Sequence, residues 1–205
     1  MTFFIRRSGT ILVVYILLSY LIGNFLFAYL IAKCLRGTDI RAEGSTNPGA
    51  RNIGTLYGKP FFIATFLGDA GKGALVVYIA TVMTELHPYA LIGFLAVIIG
   101  HLYPIFFRLK GGKGLSTFAG GLLVIEPLLL LALLAIAGIL SLFIRSFTVG
   151  GMIGVAVAPI GLYFFTHSYM DMFVMGICSL LIIFSHRTNI VRSLKKEEKL
   201  HEFSL

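Results

Sequence analysis

Long apolar stretches joined by short polar segments make up most of this chain. An apolar stretch of about 18 or more residues is what an α-helix needs to cross the hydrocarbon core of a bilayer. Lipid-exposed backbone must satisfy its own hydrogen bonds, so such stretches are expected to be helical. The pattern predicts an all-α integral membrane protein, a bundle of about seven transmembrane helices over residues 9–33, 60–84, 88–107, 114–126, 127–145, 149–166 and 169–185.

The boundary between the fourth and fifth predicted helices rests on Glu126 and Pro127. A proline one residue past a polar break favours a turn at that point. Without this break the chain would have six spans, and both termini would lie on one side of the membrane. No internal repeat or change of composition divides the sequence, so residues 1–205 are predicted to form a single transmembrane domain.

Composition and charge agree with a membrane location. Of the 205 residues, 58% are hydrophobic and 13% are charged, and the mean hydropathy is +0.93. The formal net charge of +8 is clustered in a few segments, which argues against a nucleic-acid-binding protein. Cys34 and Cys178 are expected to be small buried residues rather than a disulfide or a metal site.

Basic residues concentrate on one side of the predicted bundle. Apart from Arg6, Arg7 and Lys72, every Lys and Arg follows an odd-numbered span, the last of these segments being the C-terminal tail with Lys195, Lys196 and Lys199. The positive-inside rule then places these segments and the C-terminus in the cytoplasm and the N-terminus outside. Arg6 and Arg7 favour the opposite orientation of the first helix, but the larger count prevails. The segments after even-numbered spans carry acidic residues instead, namely Glu85, Glu126 and Asp171.

The polar segment after the first span packs small residues together and reads GSTNPGARN over residues 44–52. Short side chains there offer hydrogen bonds, and glycines free the backbone to turn. Taken alone, the segment is also compatible with an ordinary solvated loop. Its candidate substrate-binding residues are Gly44, Ser45, Asn47, Gly49, Arg51 and Asn52.

A charged pair lies within the second predicted span. Asp69 and Lys72 are three residues apart in DAGKG, so they face each other on a helix. Charges inside spans are costly and usually functional, although a purely structural ion pair is an equal alternative. The segment is interpreted as a broken helix that lines the site.

A lysine- and glycine-rich loop follows the third span. It reads KGGKG over residues 110–114, after His101 and Arg108 and before Ser116 and Thr117. Bare glycines let backbone N–H groups approach an anion, and lysines add full charges. The spacing is not that of a Walker A loop. A helix beginning near Gly114 would direct its dipole at a bound phosphate. The alternative without a substrate is a basic patch at the membrane surface.

The fourth polar segment, HRTNIVR over residues 186–192, follows the last span. His186 and Asn189 are three residues apart, and Arg192 lies about one turn further on. Alone, it is an ordinary basic end of a span. Because the polar segments follow spans 1, 3 and 7, they open to one membrane face, whereas independent bland loops have no reason to share a side.

Together, GSTNPGARN, DAGKG, GHLYPIFFRLKGGKG and HRTNIVR closely resemble the bacterial acyl-phosphate-dependent glycerol-3-phosphate acyltransferase family, over nearly the whole chain. The resemblance implies transfer of a fatty acyl group from acyl phosphate to the 1-hydroxyl of sn-glycerol 3-phosphate. The products are 1-acyl-glycerol 3-phosphate (lysophosphatidic acid) and inorganic phosphate. It implies a seven-helix enzyme of the bacterial cytoplasmic membrane, with its active site at the cytoplasmic face and no metal, coenzyme A or other cofactor.

The resemblance also implies roles for residues. Ser45 and the glycine-rich loop would hold the acyl-phosphate group and Lys113 would neutralise charge, while His186 and Asn189 would help to place glycerol 3-phosphate. The substrates would be acyl phosphate from the bilayer and glycerol 3-phosphate from the cytoplasm, with an acyl-phosphate-producing enzyme working alongside. The candidate catalytic residues are Ser45, Lys113, His186 and Asn189, and the further substrate-binding candidates are Asp69, Lys72, His101, Lys110, Gly111, Gly112, Gly114 and Arg192.

This chain departs from the family pattern at a few positions. The family usually has Thr where this chain has Arg51 and Arg where it has Thr55, so the cation has moved four residues, about one turn if the stretch is helical. Either Arg51 replaces the lost phosphate contact or acceptor affinity is altered. Two rival functions remain: a transporter or flippase for a small organophosphate, and a metal-dependent phosphotransferase, which would need a carboxylate cluster.

Overall fold

The computed structural model describes residues 2–83 and 87–202, and the side chains of residues 9–83 and 87–195. Glu85, and the side chains of Arg6, Arg7, Lys196, Glu197 and Lys199, therefore lie outside the described residues. Within the described ranges the chain is helical, without strands. The α-helices are α1 (Thr2–Gly23), α2 (Phe27–Arg36), α3 (Ala50–Tyr57), α4 (Lys59–Val82), α5 (Ala90–Leu102), α6 (Leu115–Ile125), α7 (Pro127–Phe143), α8 (Phe147–Thr166) and α9 (Tyr169–Glu202).

Four helical segments of the described chain are long and apolar enough to cross a membrane: Lys59–Val82, His87–Phe107, Phe147–Thr166 and Tyr169–Lys195. A fifth candidate is the bent pair of α1 and α2, counted as one span. Helices α6 and α7 are apolar but shorter than these. The all-helical membrane class is thus confirmed with four to five candidate spans, while the count of seven stays a prediction.

The break predicted between the fourth and fifth spans is present. Helix α6 ends at Ile125, and α7 begins at Pro127, with Glu126 extended between them. Proline suits the first turn of a helix because the N–H that it lacks would have no partner within the helix there. The polar residue and the following proline therefore stop one helix and start the next.

The break assigned to the second span lies instead in the first. Helix α4 runs without interruption through Asp69 and Lys72, so the interpretation of this segment as a broken helix is wrong. The chain turns between Gly23 and Phe27, where α1 and α2 are bent by 43°. The paired charges leave the hydrogen bonds of α4 intact, whereas the turn frees carbonyl groups that need donors.

Residues Met1–Ile125 form one compact unit, referred to as unit 1. Helix α4 packs on α6, and α1 packs on α5. Glycines permit both contacts, because a Cβ at Gly73 would overlap the carbonyl oxygen of Thr117 and one at Gly100 would overlap that of Tyr20. Small residues at such crossings let helix backbones approach closely, which is how apolar helices pack without a hydrophobic driving force.

Residues Glu126–Leu205 form a second compact unit, referred to as unit 2. Helix α8 packs against both α7 and α9. Ser146 caps α8, its Oγ accepting a hydrogen bond from the backbone N–H of Val149 at 3.3 Å. Gly150 lets α8 approach α7, since a Cβ there would overlap the Ser141 side chain. The prediction of a single domain over residues 1–205 stays a prediction.

Candidate active site

The loop that carries Ser45 is shaped by the side chain of Asn52, which is 4% exposed at the start of α3. Its Oδ1 accepts a hydrogen bond from the Ser45 N–H at 2.8 Å. Its Nδ2 donates to the carbonyl groups of Ile40 at 3.3 Å and Glu43 at 3.0 Å. A primary amide suits this position because it carries two N–H donors and an acceptor oxygen without a charge. Asn52 was predicted to bind substrate; the structure shows that its amide organises the loop.

Backbone conformation explains the glycine before Ser45. Gly44 has a φ of 55°, and a Cβ at this position would overlap Asn52 Oδ1. Thr46 on the other side also has a positive φ, of 61°, which is unusual for a β-branched residue. Ser45 itself is exposed between them. The loop thus holds the Ser45 backbone fixed while its side chain faces outward, and the half-buried Asn47 follows.

The cation swap falls on helix α3, which begins after Gly49. The stretch is helical, so the condition for a shift of one turn is met, because Arg51 and Thr55 lie within Ala50–Tyr57. Thr55 Oγ1 donates a hydrogen bond to the Arg51 carbonyl at 2.9 Å, and both residues are exposed. Positions four apart share a helix face, so the guanidinium is displaced one turn toward the N-terminus along the same face.

The glycine-rich loop is organised differently from the expectation. The Gly111 N–H donates to the Leu102 carbonyl at 3.1 Å, and the Gly112 N–H donates to the His101 carbonyl at 3.0 Å. These N–H groups satisfy the C-terminal carbonyls of α5, so they have partners within the protein, and the binding of substrate by Gly111 and Gly112 stays a prediction. The glycines are needed for close packing instead, because a Cβ at Gly111 would overlap the His101 carbonyl oxygen.

The end of this loop leads into helix α6. Helix α6 begins at Leu115, as the sequence predicted within one residue. Gly114 has a φ of 80°, a conformation that glycine adopts readily. Lys113 is half-buried immediately before it, and Lys110 is exposed. The first turn of α6 therefore presents the positive end of a helix dipole beside Lys113, an arrangement that favours anions.

Asp69 and Lys72 form an ion pair, as the sequence predicted, with Lys72 Nζ 3.0 Å from Asp69 Oδ1. His101 joins the pair, its Nδ1 lying 2.7 Å from Lys72 Nζ. Exposures of 1% for Asp69, 5% for Lys72 and 3% for His101 show that all three are buried. The structure therefore brings together three candidates from two segments, but in the interior of unit 1 and against other protein groups.

Arg41 connects the two loops and was missed as a site residue. It forms an ion pair with Asp39 at 2.6 Å and donates to the Phe107 carbonyl at 3.0 Å. The guanidinium also lies over the rings of Tyr29 and Phe107, at 5.3 and 5.1 Å from their centroids. Hydrogen bonds from Arg41 hold the pKa of Asp39 below its usual range. The Asp39–Arg41 spacing was the signal, and sequence reasoning counted Arg41 only as a loop charge.

Unit 2 carries the fourth predicted segment, inside helix α9 rather than at its end. His186 is buried, and its Nδ1 lies 2.9 Å from the Ile182 carbonyl, so Nδ1–H donates and Nε2 is the acceptor nitrogen of the neutral ring. Asn189 is half-buried and Arg192 is exposed. Their spacing of three places them along one side of α9.

The structure also shows where the candidate metal ligands and the two cysteines lie. Among the described residues, no three His, Cys, Asp or Glu side chains are grouped so that they could hold a metal ion. Cys178 is buried as predicted, whereas Cys34 is exposed, which corrects the expectation for that residue. Cys34 lies on α2 among other exposed residues at its C-terminal end.

Comparison with known proteins identifies the family. The profile described as glycerol-3-phosphate acyltransferase matches residues 13–196. Glycerol-3-phosphate acyltransferase 1 of Bacillus cereus is 48% identical over 173 residues, covering 84% of this chain and 95% of that protein. Glycerol-3-phosphate acyltransferase of Methylococcus capsulatus is 40% identical over 181 residues, covering 88% of this chain and 91% of that protein.

Solved structures agree with the sequence comparisons. The glycerol 3-phosphate form of PlsY (YgiH), an integral membrane glycerol 3-phosphate acyltransferase, matches with a TM-score of 0.82 at 30% identity, over 90% of this chain and 92% of that chain. The lysophosphatidic acid form of the same protein matches with a TM-score of 0.80. The sequence profile crosses both compact units, and the relatives match nearly end to end. This chain belongs to the glycerol-3-phosphate acyltransferase family.

Proposed function

We propose that this protein transfers a fatty acyl group from acyl phosphate to the 1-hydroxyl of sn-glycerol 3-phosphate, in phospholipid synthesis. The acceptor hydroxyl oxygen attacks the acyl carbonyl carbon, the bond from that carbon to the phosphate oxygen breaks, and lysophosphatidic acid and inorganic phosphate result. The observation that carries the proposal is the pair of loops in unit 1, which Arg41 joins through Phe107. One loop presents Ser45, and the other leads Lys113 into the start of α6.

The donor is proposed from the chemistry of these loops. An acyl phosphate is an activated mixed anhydride, so the protein must supply positioning and anion stabilisation rather than a covalent nucleophile or a metal. Lys113 and the N-terminal dipole of α6 stabilise the negative charge that grows on the departing phosphate. Ser45 and the segment that includes Gly44, Asn47 and Gly49 hold the acyl-phosphate group.

Helix α9 is proposed to handle the acceptor. The contact between His186 Nδ1 and the Ile182 carbonyl fixes the ring, and Nε2 accepts a hydrogen bond from a glycerol 3-phosphate hydroxyl. Asn189 and Arg192, on the same helix, supply an amide and a cation toward this substrate, and Arg51 of unit 1 is a separate candidate for a phosphate contact. The proton of the attacking hydroxyl leaves with the phosphate product, so His186 need not be the general base.

Placement in the membrane completes the proposal. Seven spans, an outer N-terminus and a cytoplasmic C-terminus put Ser45, Lys113 and His186 on the cytoplasmic side of a bacterial cytoplasmic membrane. Basic segments on one side support this orientation. Acyl phosphate then arrives from the bilayer, supplied by an enzyme that makes it, and glycerol 3-phosphate arrives from the cytoplasm. Cys34 is exposed at the end of α2, so a membrane-impermeant thiol reagent can test on which side of the membrane this segment lies.

The decisive experiment measures phosphate release by the purified protein in lipid cubic phase, with palmitoyl phosphate, with and without glycerol 3-phosphate, and with chelator present. We expect release that requires glycerol 3-phosphate and yields lysophosphatidic acid. Palmitoyl-coenzyme A in place of palmitoyl phosphate is the matched donor control and should give none. Formation of lysophosphatidic acid from palmitoyl-coenzyme A but not from palmitoyl phosphate would overturn the assignment of acyl phosphate as the donor. Absence of acyl transfer from both donors would overturn the assignment of acyltransferase activity. It would favour the rival function of a transporter, although the relatives are acyltransferases.

A further inference from the structure

The Lys72 ammonium lies among groups from separate parts of unit 1. Its Nζ donates to the carbonyl of Gly23 at 3.0 Å and to that of Phe25 at 2.6 Å, both at the break between α1 and α2. Its third neighbour is His101 Nδ1 at 2.7 Å, on α5. Together with Asp69, these acceptors outnumber the three protons of the ammonium, so none is left for a substrate. Asp69 Oδ1, 3.0 Å away, supplies the countercharge.

The contact with Lys72 is the basis on which we assign the tautomer of His101. If Nδ1 accepts from Lys72, the neutral ring carries its proton on Nε2. Nε2 faces the glycine-rich loop, since a Cβ at Gly112 would overlap it. The His101 carbonyl also accepts from the Gly112 N–H at 3.0 Å. His101 thus contacts Gly112 with both its ring and its backbone, one residue before Lys113.

We propose that Lys72 and His101 are positioning residues for acyl transfer: Lys72 holds the His101 ring, and His101 holds Gly112 and thereby sets the position of Lys113. The same ammonium holds the carbonyls from which α2 departs toward the Ser45 loop. One buried cation therefore ties both loops of the site to the helices of unit 1. This inference rests on the proposed function, in which Lys113 acts on the phosphate.

Burial separates this role from the substrate contact predicted from sequence. Lys72 is 5% exposed and His101 3% exposed, and the protons of the ammonium are taken by protein groups. A buried ion pair is weak support for stability, because desolvation offsets most of the attraction. An ion pair with a purely structural role would need only Asp69 and Lys72. The contact from Lys72 to His101, which in turn contacts Gly112, would be superfluous.

Kinetics of two His101 variants test the positioning role. In His101→Asn, the side-chain oxygen still accepts from Lys72 and so fixes residue 101, whose carbonyl accepts from the Gly112 N–H, although the ring contact with Gly112 is lost. His101→Leu keeps the bulk and removes the acceptor, so residue 101 is no longer held by Lys72. A misplacement of about 1 Å can cost about 100-fold in rate, so we expect kcat to fall about 10- to 100-fold in His101→Leu. We expect KM for glycerol 3-phosphate to change little, and His101→Asn to retain most of the wild-type kcat.

A spin label on the loop tests the same idea without turnover. Leu109 is 57% exposed, so a nitroxide on Leu109→Cys, in a Cys34→Ser/Cys178→Ala background, reports loop mobility. We expect a more mobile spectrum with His101→Leu and an unchanged one with His101→Asn. Thr65→Val is the matched control, because it removes a buried hydroxyl from α4, the helix of Lys72, and should alter neither kcat nor the spectrum.

The outcomes separate the two proposals. Equal loss of kcat in both His101 variants, or a nitroxide spectrum that His101→Leu leaves unchanged, would overturn the positioning role. No phosphate release by the wild-type protein would overturn the proposed function, while the spectra would still decide whether His101 orders the loop. Lys72→Met is a secondary variant, since an unpaired Asp69 threatens folding; if it folds, its loss and that of His101→Leu should not add.

Discussion

The two loops of unit 1 both combine glycines with candidate substrate-binding residues, but they are held in different ways. The loop around Ser45 is organised by a side chain, Asn52, which binds one N–H and two carbonyl groups. The glycine-rich loop is organised by backbone, as Gly111 and Gly112 donate to the last carbonyls of α5. Glycine permits a turn in the first loop and close packing in the second. Similar composition therefore does not imply a similar way of binding an anion.

Removing the groups proposed to meet the acyl phosphate should have the largest effects. For Lys113→Ala we expect kcat to fall about 100- to 1,000-fold, the usual cost of losing a group that stabilises transition-state charge. For Ser45→Ala we expect a fall of about 10- to 100-fold, since one neutral hydrogen bond is lost. Phosphate release by folded variants is the measurement. Near-normal turnover in either would break the site assignment.

Gly111→Ala tests the loop that is held by backbone. A Cβ there overlaps the His101 carbonyl oxygen, so α5 and the loop must separate. We expect kcat to fall at least about tenfold, because Lys113 moves with the loop. Gly71→Ala is the matched control, as nothing lies within 4 Å of its Cβ position. A Gly111→Ala enzyme as active as Gly71→Ala would show that the close packing is dispensable.

Asn52→Leu tests the loop that is held by a side chain. It leaves the Ser45 N–H and the carbonyls of Ile40 and Glu43 without their partner, each at a cost of about 1–3 kcal/mol where water cannot replace it. We expect a lower Tm and a loss of kcat of about tenfold, because Ser45 is no longer held. Thr55→Val, on the exposed face of the same helix, is the control. Wild-type kcat in Asn52→Leu would mean that the loop orders itself on substrate.

The sequence predicted the helical membrane class, the break at Glu126 and the pairing of Asp69 with Lys72. Each of these follows from local rules: apolar length, a proline after a polar residue, and helical spacing. The turn between Gly23 and Phe27 was not predicted, because its support comes from Lys72, far along the chain. Local pattern cannot reveal a carbonyl that is satisfied by a distant cation.

Within the site, the sequence was sufficient to recognise the two loops, but it was less informative about what each residue contacts. The loops of Ser45 and Lys113 were recognised, and their roles in binding stay predictions. Asn52, His101 and the paired glycines were all predicted to contact substrate, and the structure adds contacts within the protein: Asn52 holds its own loop, and the glycines donate to the end of α5. A sequence motif does not reveal whether a polar group faces ligand or protein, since both uses require the same side chain.

Arg51→Ala addresses the swapped cation on α3, outside the contacts that hold either loop. If Arg51 grips the acceptor phosphate, we expect KM for glycerol 3-phosphate to rise about tenfold with kcat little changed, which is the signature of lost uniform binding. Initial rates against glycerol 3-phosphate concentration are the measurement, with Thr55→Val as the control one turn away. An unchanged KM would show that Arg51 does not bind the acceptor phosphate and is an ordinary solvated residue of the helix.

The smallest effect is expected from the ion pair between Asp39 and Arg41, the residue whose hydrogen bond to the Phe107 carbonyl joins the loops. Because Arg41 lowers the pKa of Asp39 in the folded protein, the pair stabilises the fold above the ordinary pKa of 3.8 and ceases to do so as the pH falls below it. Asp39→Asn removes this contribution at every pH. We therefore expect wild type to have a slightly higher Tm than Asp39→Asn at about pH 6, and the difference to vanish as Asp39 becomes protonated at a pH below the ordinary value. The difference stays small, because both side chains are partly exposed and solvent screens their attraction. A difference that persisted unchanged in acid would mean that Asp39 acts through hydrogen bonds that survive protonation, such as the one from the Arg41 N–H, rather than through charge.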